Sequence, residues 1–353
     1  MRFRVLTVAT ALVAGVVTGG VAQAGESVGV PGDPVVVTEG LTVPWAVSWL
    51  PDGQSALVTQ RNDFHVYLVT RSGEKTDVGV VPQSEGTGGE GGLMGVAVSP
   101  DWETDRAVYF MHTSSDGNRV ARMTFDGTAL SGYTPIVQGI QKNRYHNGGR
   151  LAFGPDGYLY ATAGDAQHTE LSQDPSSLNG KILRFTTDGD PAPGNPFGTL
   201  VYSLGHRNPQ GLAWDAAGRL WSAELGQNTF DELNLIEPGN NYGWPVCEGV
   251  CDDPEYTNPK ATWTTAEASP SGLAIVGDTA FMGALRGQRL WRVELNGTEA
   301  GEIAPHFQGT FGRIRAVVAV PGASEIWMTT SNADANGGRP PGADRILSST
   351  ITG

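Results

Sequence analysis

The chain has 353 residues, a formal net charge of −14 and 49 glycines. A surface that acidic repels phosphate backbones and anionic headgroups, which argues against nucleic acid and membrane surfaces as partners and favours a neutral or cationic small molecule. Helix-forming runs are almost absent, so the glycines point to many short strands joined by tight turns.

Residues 1–24 read as a secretory signal. Arg2 and Arg4 form a basic start, an apolar run follows from Val5 to Val17, and the small-residue end Val21-Ala22-Gln23-Ala24 suits cleavage. The run falls short of the ~20 apolar residues of a comfortable membrane span. The mature chain is expected to begin near Gly25, to be secreted, and to form one domain over 25–353.

From there one pattern recurs: an apolar strand, a Pro/Asp/Gly turn, a second apolar strand. It appears at Val47–Thr59, Val96–Phe110 and Leu151–Thr162, and more loosely at Leu212–Ala223, Leu273–Gly283 and Val317–Thr329. The spacing, roughly 45 to 60 residues, lies in the range of propeller repeats. Each period leaves room for two outer strands, for example Val66–Val69, Val120–Met123, Lys181–Phe185 and Arg289–Val293. One blade cannot bury both of its faces, so blades stack in a ring. The expected fold is an all-β, six-bladed β-propeller of four-stranded antiparallel blades. A β-sandwich with chance turn similarity is the rival.

Chemistry-bearing residues gather at the ends of these hairpins. Tyr145-His146-Asn147-Gly148-Gly149-Arg150 leads into the third, whose return strand ends in Gly164-Asp165. A hairpin sets its start beside its end, so His146 and Asp165 can meet, and an aspartate fixes the tautomer of a histidine general base. Alone, such a pair is structural more often than catalytic. Gly205-His206-Arg207-Asn208-Pro209-Gln210-Gly211 opens the fourth hairpin, and Arg207 offers a permanent cation for charge developing on an oxygen. After that hairpin, Gly226 allows a turn that exposes carbonyls, with Asp231 and Glu232 nearby, a set of hard oxygens that suits calcium. Cys247 and Cys251 lack Cys or His partners at zinc-ligand spacing, and export allows a disulfide between them. Arg286 follows the fifth hairpin. Arg313 and Arg315 stand on one strand face before the sixth, so clustered arginines suggest a ligand bearing several carboxylates.

In this order the motifs resemble the PQQ-dependent soluble glucose and aldose sugar dehydrogenase family. The likeness runs from Leu41-Thr42-Val43-Pro44-Trp45 through Gly89-Glu90-Gly91-Gly92-Leu93-Met94-Gly95 and Gly205–Gly211 to Arg313-Ile314-Arg315. The resemblance implies His146 as general base and Asp165 as the group that orients it. It also implies Arg207 and Asn208 against the quinone, and Glu90, Arg286, Arg313 and Arg315 as further cofactor contacts. Backbone carbonyls of Gly226 and Gln227 would bind the calcium that also holds pyrroloquinoline quinone (PQQ), with a second calcium near Glu232 and Tyr242. Glu90 stands where the glucose dehydrogenases have an amide, which places the chain nearer the aldose branch. The loops are short, and a monomer is expected.

The implied activity is oxidation of an aldose at its anomeric carbon to a lactone. His146 would take the hydroxyl proton as hydride passes to the quinone, and a separate, unidentified acceptor would take the electrons. Two other classes compete: a calcium-dependent hydrolase or lactonase, which would line the channel with acidic or amide ligands, and a non-catalytic carbohydrate-binding propeller, which would expose aromatic platforms.

Overall fold

The hairpin turns follow from their residues. In Leu50-Pro51-Asp52-Gly53 the Gly53 N–H bonds back to the Leu50 carbonyl at 2.9 Å, and Gly53 has φ +63, a conformation that costs glycine nothing. Gly157 closes the third hairpin in the same way, with φ +79. The second hairpin departs from the pattern: its Asp101 is followed by a single helical turn, Trp102–Asp105, before the return strand.

The computed structural model describes Met1 and residues 28–353, so the expected signal segment lies outside the described residues apart from that methionine. Each hairpin supplies the two inner strands of a four-stranded antiparallel sheet, and the six sheets are the blades of a β-propeller. Blade 1 runs Pro44–Trp49, Ser55–Gln60, His65–Thr70 and Lys75–Val80. Blade 3, which carries much of the site, runs Leu151–Phe153, Leu159–Ala163, Lys181–Phe185 and Val201–Leu204. Blade 4 runs Pro209–Trp214, Leu220–Glu224, Phe230–Ile236 and Ala261–Thr264. Blade 6 is built from both ends of the described chain. Its strands Ile314–Ala319, Glu325–Thr330 and Asp344–Thr352 are completed by Val35–Leu41, which pairs with Asp344–Thr352, and the two-residue strand Val30–Pro31 adds a fifth to that sheet on the same partner. The pairing of Val35–Leu41 closes the ring.

The space between blades is filled by large apolar side chains. Trp45, Trp221, Trp327, Tyr109, Phe110, Phe125, Phe185 and Phe281 are all fully buried. Each phenylalanine so placed contributes roughly 1.5–3 kcal/mol. Hydroxyls stitch neighbouring blades together: Thr59 donates to the Met94 carbonyl at 2.7 Å and Thr329 to the Pro44 carbonyl at 2.8 Å.

Innermost strands begin with register shifts, between Pro44 and Ala46, Leu93 and Val96, Pro209 and Gly211, Pro270 and Leu273, and Ile314 and Val317. Such bulges re-aim side chains at the end of a sheet. Here they all lie at one mouth of the channel, where the loops before the inner strands meet the loops after the second strands. Among the described residues no helix is long and apolar enough to cross a membrane.

Candidate active site

His146 precedes the inner strand of blade 3, Asp165 follows the second strand of that blade, and Arg207 precedes the inner strand of blade 4. The propeller brings all three into contact. His146 Nδ1 lies 2.8 Å from Asp165 Oδ1, and His146 Nε2 lies 2.8 Å from Arg207 Nη2. A guanidinium can only donate. Nε2 is therefore the accepting nitrogen, and Nδ1 carries the proton that Asp165 accepts. Asp165 is fully buried, and it also accepts from Trp244 Nε1 at 2.9 Å and from the Gln167 N–H at 2.7 Å. Arg207 is held by Gln227 Oε1, 2.8 Å from its Nε, and by the Leu225 carbonyl, 3.1 Å from its Nη1. Burial pulls its pKa below the ordinary arginine value.

His146 has φ +60, a left-handed conformation that costs a non-glycine residue roughly 1–3 kcal/mol. Neighbouring blades hold it there. Glu90, from blade 2, accepts the His146 N–H at 2.9 Å. Asn208, from blade 4, is fully buried; its amide oxygen accepts the Gly148 N–H at 3.0 Å and its amide nitrogen donates to Glu90 at 3.2 Å. Gly164 lies so close to this loop that a Cβ there would sit 2.2 Å from the His146 carbonyl oxygen.

Beside this group lies a set of buried arginines. Arg313 and Arg315 share Asp334, whose Oδ2 lies 3.0 and 3.2 Å from their Nη2 atoms. Burial opposes the charge on Asp334, but the two arginines outweigh it and hold its pKa below the ordinary value. Arg61 and Arg150, which the sequence reading did not single out, belong to the same set. Arg61 is buried and within electrostatic reach of Asp334, Glu90 and Arg313. Arg150 reaches across the channel: its Nε donates to the Gln210 carbonyl at 2.7 Å, and its guanidinium lies 4.4 Å from the centre of the Trp45 ring. Its Nη2 is buried without a partner. Burial and neighbouring Arg315 pull Arg150 down to about 9, and burial with Arg61 pulls Arg315 to about 10. Four buried cations thus face two carboxylates, Glu90 and Asp334. Arg286 lies at the same mouth, in the turn after Thr279–Ala284, but it is exposed and stays outside this hydrogen-bonded set.

The acidic side of the site follows blade 4. The Gly226 N–H donates to Asp231 at 2.9 Å, and burial raises Asp231 to about 6 against the N–H groups of Ser269 and Gly226. The turn Gln227–Phe230 wraps its N–H groups around one oxygen of Glu248. Glu248 stands inside the loop closed by the Cys247–Cys251 disulfide. Burial works against its charge, and those N–H groups more than offset it, holding Glu248 below its ordinary range.

Glu224 accepts the Arg207 N–H and pairs with His206 at 2.8 Å. His206 stacks on Tyr242 with ring centres 4.7 Å apart. Glu232 is pushed well above its usual range by burial and by the Glu224 carboxylate beside it. A cavity of about 10 Å³ lies here, lined by Glu224, Leu225, Gly226, Glu232, Tyr242 and Glu248 among others. That is room for one ion or one water. Asn234 Oδ1, on the same strand as Glu232, is buried without a partner.

The family model described as Glucose / Sorbosone dehydrogenase matches residues 41–339. The chain belongs to that family. It is 46% identical to the aldose sugar dehydrogenase of Streptomyces coelicolor, whose structure is a PQQ-bound form; the two superpose with a TM-score of 0.87 over 91% of this chain and 98% of that one. It is 33% identical over 260 residues to quinoprotein glucose dehydrogenase B of Acinetobacter calcoaceticus, covering 64% of this chain and 54% of that protein. It is 30% identical over 227 residues to the aldose sugar dehydrogenase YliI of Escherichia coli, covering 60% of this chain and 61% of that one. The matches therefore span little more than half the length of these last two relatives.

Two further site residues had a signal in this family member's repeat. Arg61 occupies the first position after a second strand, as Leu225 does, and Asp165 stands one position further on in its own blade. Arg150 lies in the His146 loop itself. Trp244 and Glu248 had none, because they arrive on a long excursion between the outer strands of blade 4.

Proposed function

We propose that this family member oxidises aldose sugars at the anomeric carbon to lactones, using PQQ and calcium. One observation carries the reading: a histidine with an acceptor Nε2 and a buried aspartate behind it meets Arg207 at a mouth lined by four buried arginines that face only two carboxylates, with Arg150 Nη2 left without a partner. Burying unpaired charge is costly. A ligand with several carboxylates removes that cost, and PQQ has three. Arg61, Arg150, Arg313 and Arg315 fit it, with Glu90, Asn208 and Arg286 around them. Calcium fits the acidic side. The small cavity, the mutually repelling Glu224 and Glu232, and the unpartnered oxygen of Asn234 all suit a cation near Glu232 and Tyr242. The Gly226 and Gln227 carbonyls are the hard ligands proposed for the calcium that holds the cofactor.

Bound there, PQQ supplies the acceptor for the hydride leaving C1, and calcium supplies a Lewis acid for the quinone oxygen. The chain's own residues do the rest. The anomeric hydroxyl replaces Arg207 Nη2 as the donor to His146 Nε2, and His146 takes its proton. Asp165 stabilises the imidazolium that forms, without itself being protonated. Arg207, released from His146, turns its guanidinium toward the oxygen on which charge develops. Trp244 fixes Asp165, and Glu90 with Asn208 fixes the His146 backbone.

The disulfide and residues 1–24 support export, and we read residues 25–353 as a single mature domain. The electrons then pass to a separate acceptor. The test is to add PQQ and calcium to purified apoprotein and follow bound-quinone absorbance and sugar-dependent reduction of an artificial dye. His146→Ala should keep PQQ binding and lose most turnover. PQQ binding without any sugar oxidation by the unsubstituted protein would overturn the reading.

A further inference from the structure

We infer that Glu248, carried by the disulfide loop, is a positioning residue that aims the Gly226 and Gln227 carbonyls and thereby sets calcium affinity. This rests on the reading that those two carbonyls hold calcium.

The geometry is unusual for a carboxylate. Glu248 Oε1 accepts four consecutive backbone N–H groups: Gln227 at 2.6 Å, Asn228 at 2.8 Å, Thr229 at 2.8 Å and Phe230 at 3.2 Å. The only cis peptide among the described residues is Trp244–Pro245, so the peptides Gly226–Gln227 and Gln227–Asn228 are trans. In a trans peptide the carbonyl of one residue points opposite to the N–H of the next. Donation by Gln227 and Asn228 to one shared oxygen therefore sends the Gly226 and Gln227 carbonyls out together, on the side of the turn away from Glu248. An anion at the N–H end of a peptide also polarises it, which makes the carbonyl oxygen a better ligand for a cation.

The rest of the turn leaves these carbonyls little freedom. The Gly226 N–H is held by Asp231 at 2.9 Å, and the Leu225 N–H donates to the Asn208 carbonyl at 3.2 Å. A Cβ on Gly226 would sit 1.7 Å from the Phe230 carbonyl oxygen, so the turn closes on itself with no side chain at that position. What remains to be fixed is the side that Glu248 occupies. No lysine or arginine pairs with Glu248 among the described residues; its hydrogen-bond partners are those four N–H groups.

Glu248 is delivered by its loop. The Cys247 N–H bonds to the Gly243 carbonyl at 2.9 Å, Cys251 exchanges two hydrogen bonds with Asn258 at 2.7 and 3.0 Å, and the disulfide closes the segment between them. Within that segment the Gly249 N–H also donates to Glu232 at 2.8 Å. The crosslink thus shortens the range over which Glu248 can stray from the turn.

The test uses the full apoprotein, with Glu248→Gln, Glu248→Ala and the double variant Cys247→Ser/Cys251→Ser. Two quantities are measured: the calcium concentration at which PQQ binding is half-maximal, followed by bound-quinone absorbance, and the melting temperature in chelator. Glu248→Ala should raise the calcium midpoint by on the order of ten-fold or more, the effect typical of removing a group that orients metal ligands. Glu248→Gln should raise it by less, since the amide keeps one accepting oxygen, and the cysteine variant should move it in the same direction. A lower melting temperature with an unchanged calcium midpoint would mark Glu248 as a structural prop and overturn the inference. If Glu248→Ala does not fold, Glu248→Gln decides by the same comparison. PQQ binding to the unsubstituted protein that ignores calcium would instead overturn the calcium reading, and this inference with it.

Discussion

Asp165→Asn is the sharpest test of the proposed base. Asp165 receives three donors: His146 Nδ1–H, the Gln167 N–H and Trp244 Nε1–H. A carboxylate accepts all three, whereas asparagine presents one accepting oxygen and one NH₂ group. If that NH₂ faces Trp244, two donors oppose each other in a fully buried place. If it faces His146, the histidine must switch tautomer and put its proton on Nε2, where it meets the Arg207 guanidinium, again donor against donor. Either way at least one buried donor is left unpaired, and in the second arrangement the Gln167 N–H is too, since it shares Oδ1 with His146; each costs about 1–3 kcal/mol of stability and lowers the melting temperature by a few degrees. The kinetic loss should be larger. In the second arrangement Nε2 has no lone pair for the sugar hydroxyl, and in the first the imidazolium loses its counter-charge, so kcat should fall roughly 10²–10⁴-fold. The assay is dye-coupled sugar oxidation under saturating PQQ and calcium, with calorimetric melting of the same samples. A variant with the expected loss of stability but a near-normal kcat would refute the assignment of His146 as base.

Arg150→Met removes a buried, partly unsatisfied charge. The apoprotein should be as stable as the unsubstituted chain or more stable by about 1–4 kcal/mol, while affinity for PQQ falls; tighter PQQ binding by this variant would count against the arginine set as its seat. His112 gives a pH signature away from the site. It is fully buried, with Nδ1 on the Thr113 carbonyl at 3.1 Å and Nε2 on the Tyr133 hydroxyl at 2.9 Å, and burial lowers it from 6.5 to about 4. The unfolded chain binds this proton before the folded one does, so the contribution is complete above pH 6.5 and lost as pH falls toward 4. The loss is at most about 3 kcal/mol. Urea unfolding of His112→Gln across that window should show a flatter pH slope than the unsubstituted protein.

The hairpins were legible because the turn residues repeat and the apolar strands alternate around them, a local signal that survives without a partner. His146, Asp165 and Arg207 were legible for the same reason: each stands at the end of a hairpin, and hairpin ends must share a mouth. The strand Val35–Leu41 was not placed by its sequence, since its partner lies at the far end of the chain. The chain also gave no reason for Glu248 to reach the turn at Gly226, and none for Arg150 to lie over Trp45.

The order of residues alone set the repeat, the blade count, the turn chemistry and the meeting of His146 with Asp165 at the ends of one hairpin. All of these depend on contacts within one hairpin or on periodicity. Which cations lie buried together with too few carboxylates, which nitrogen of His146 is the acceptor, and which way the carbonyls after the second strand of blade 4 face were decided only when separate blades closed on one channel. Those properties belong to pairs of groups far apart along the chain, and burial assigns their protonation and their unmet hydrogen bonds only after the ring has formed.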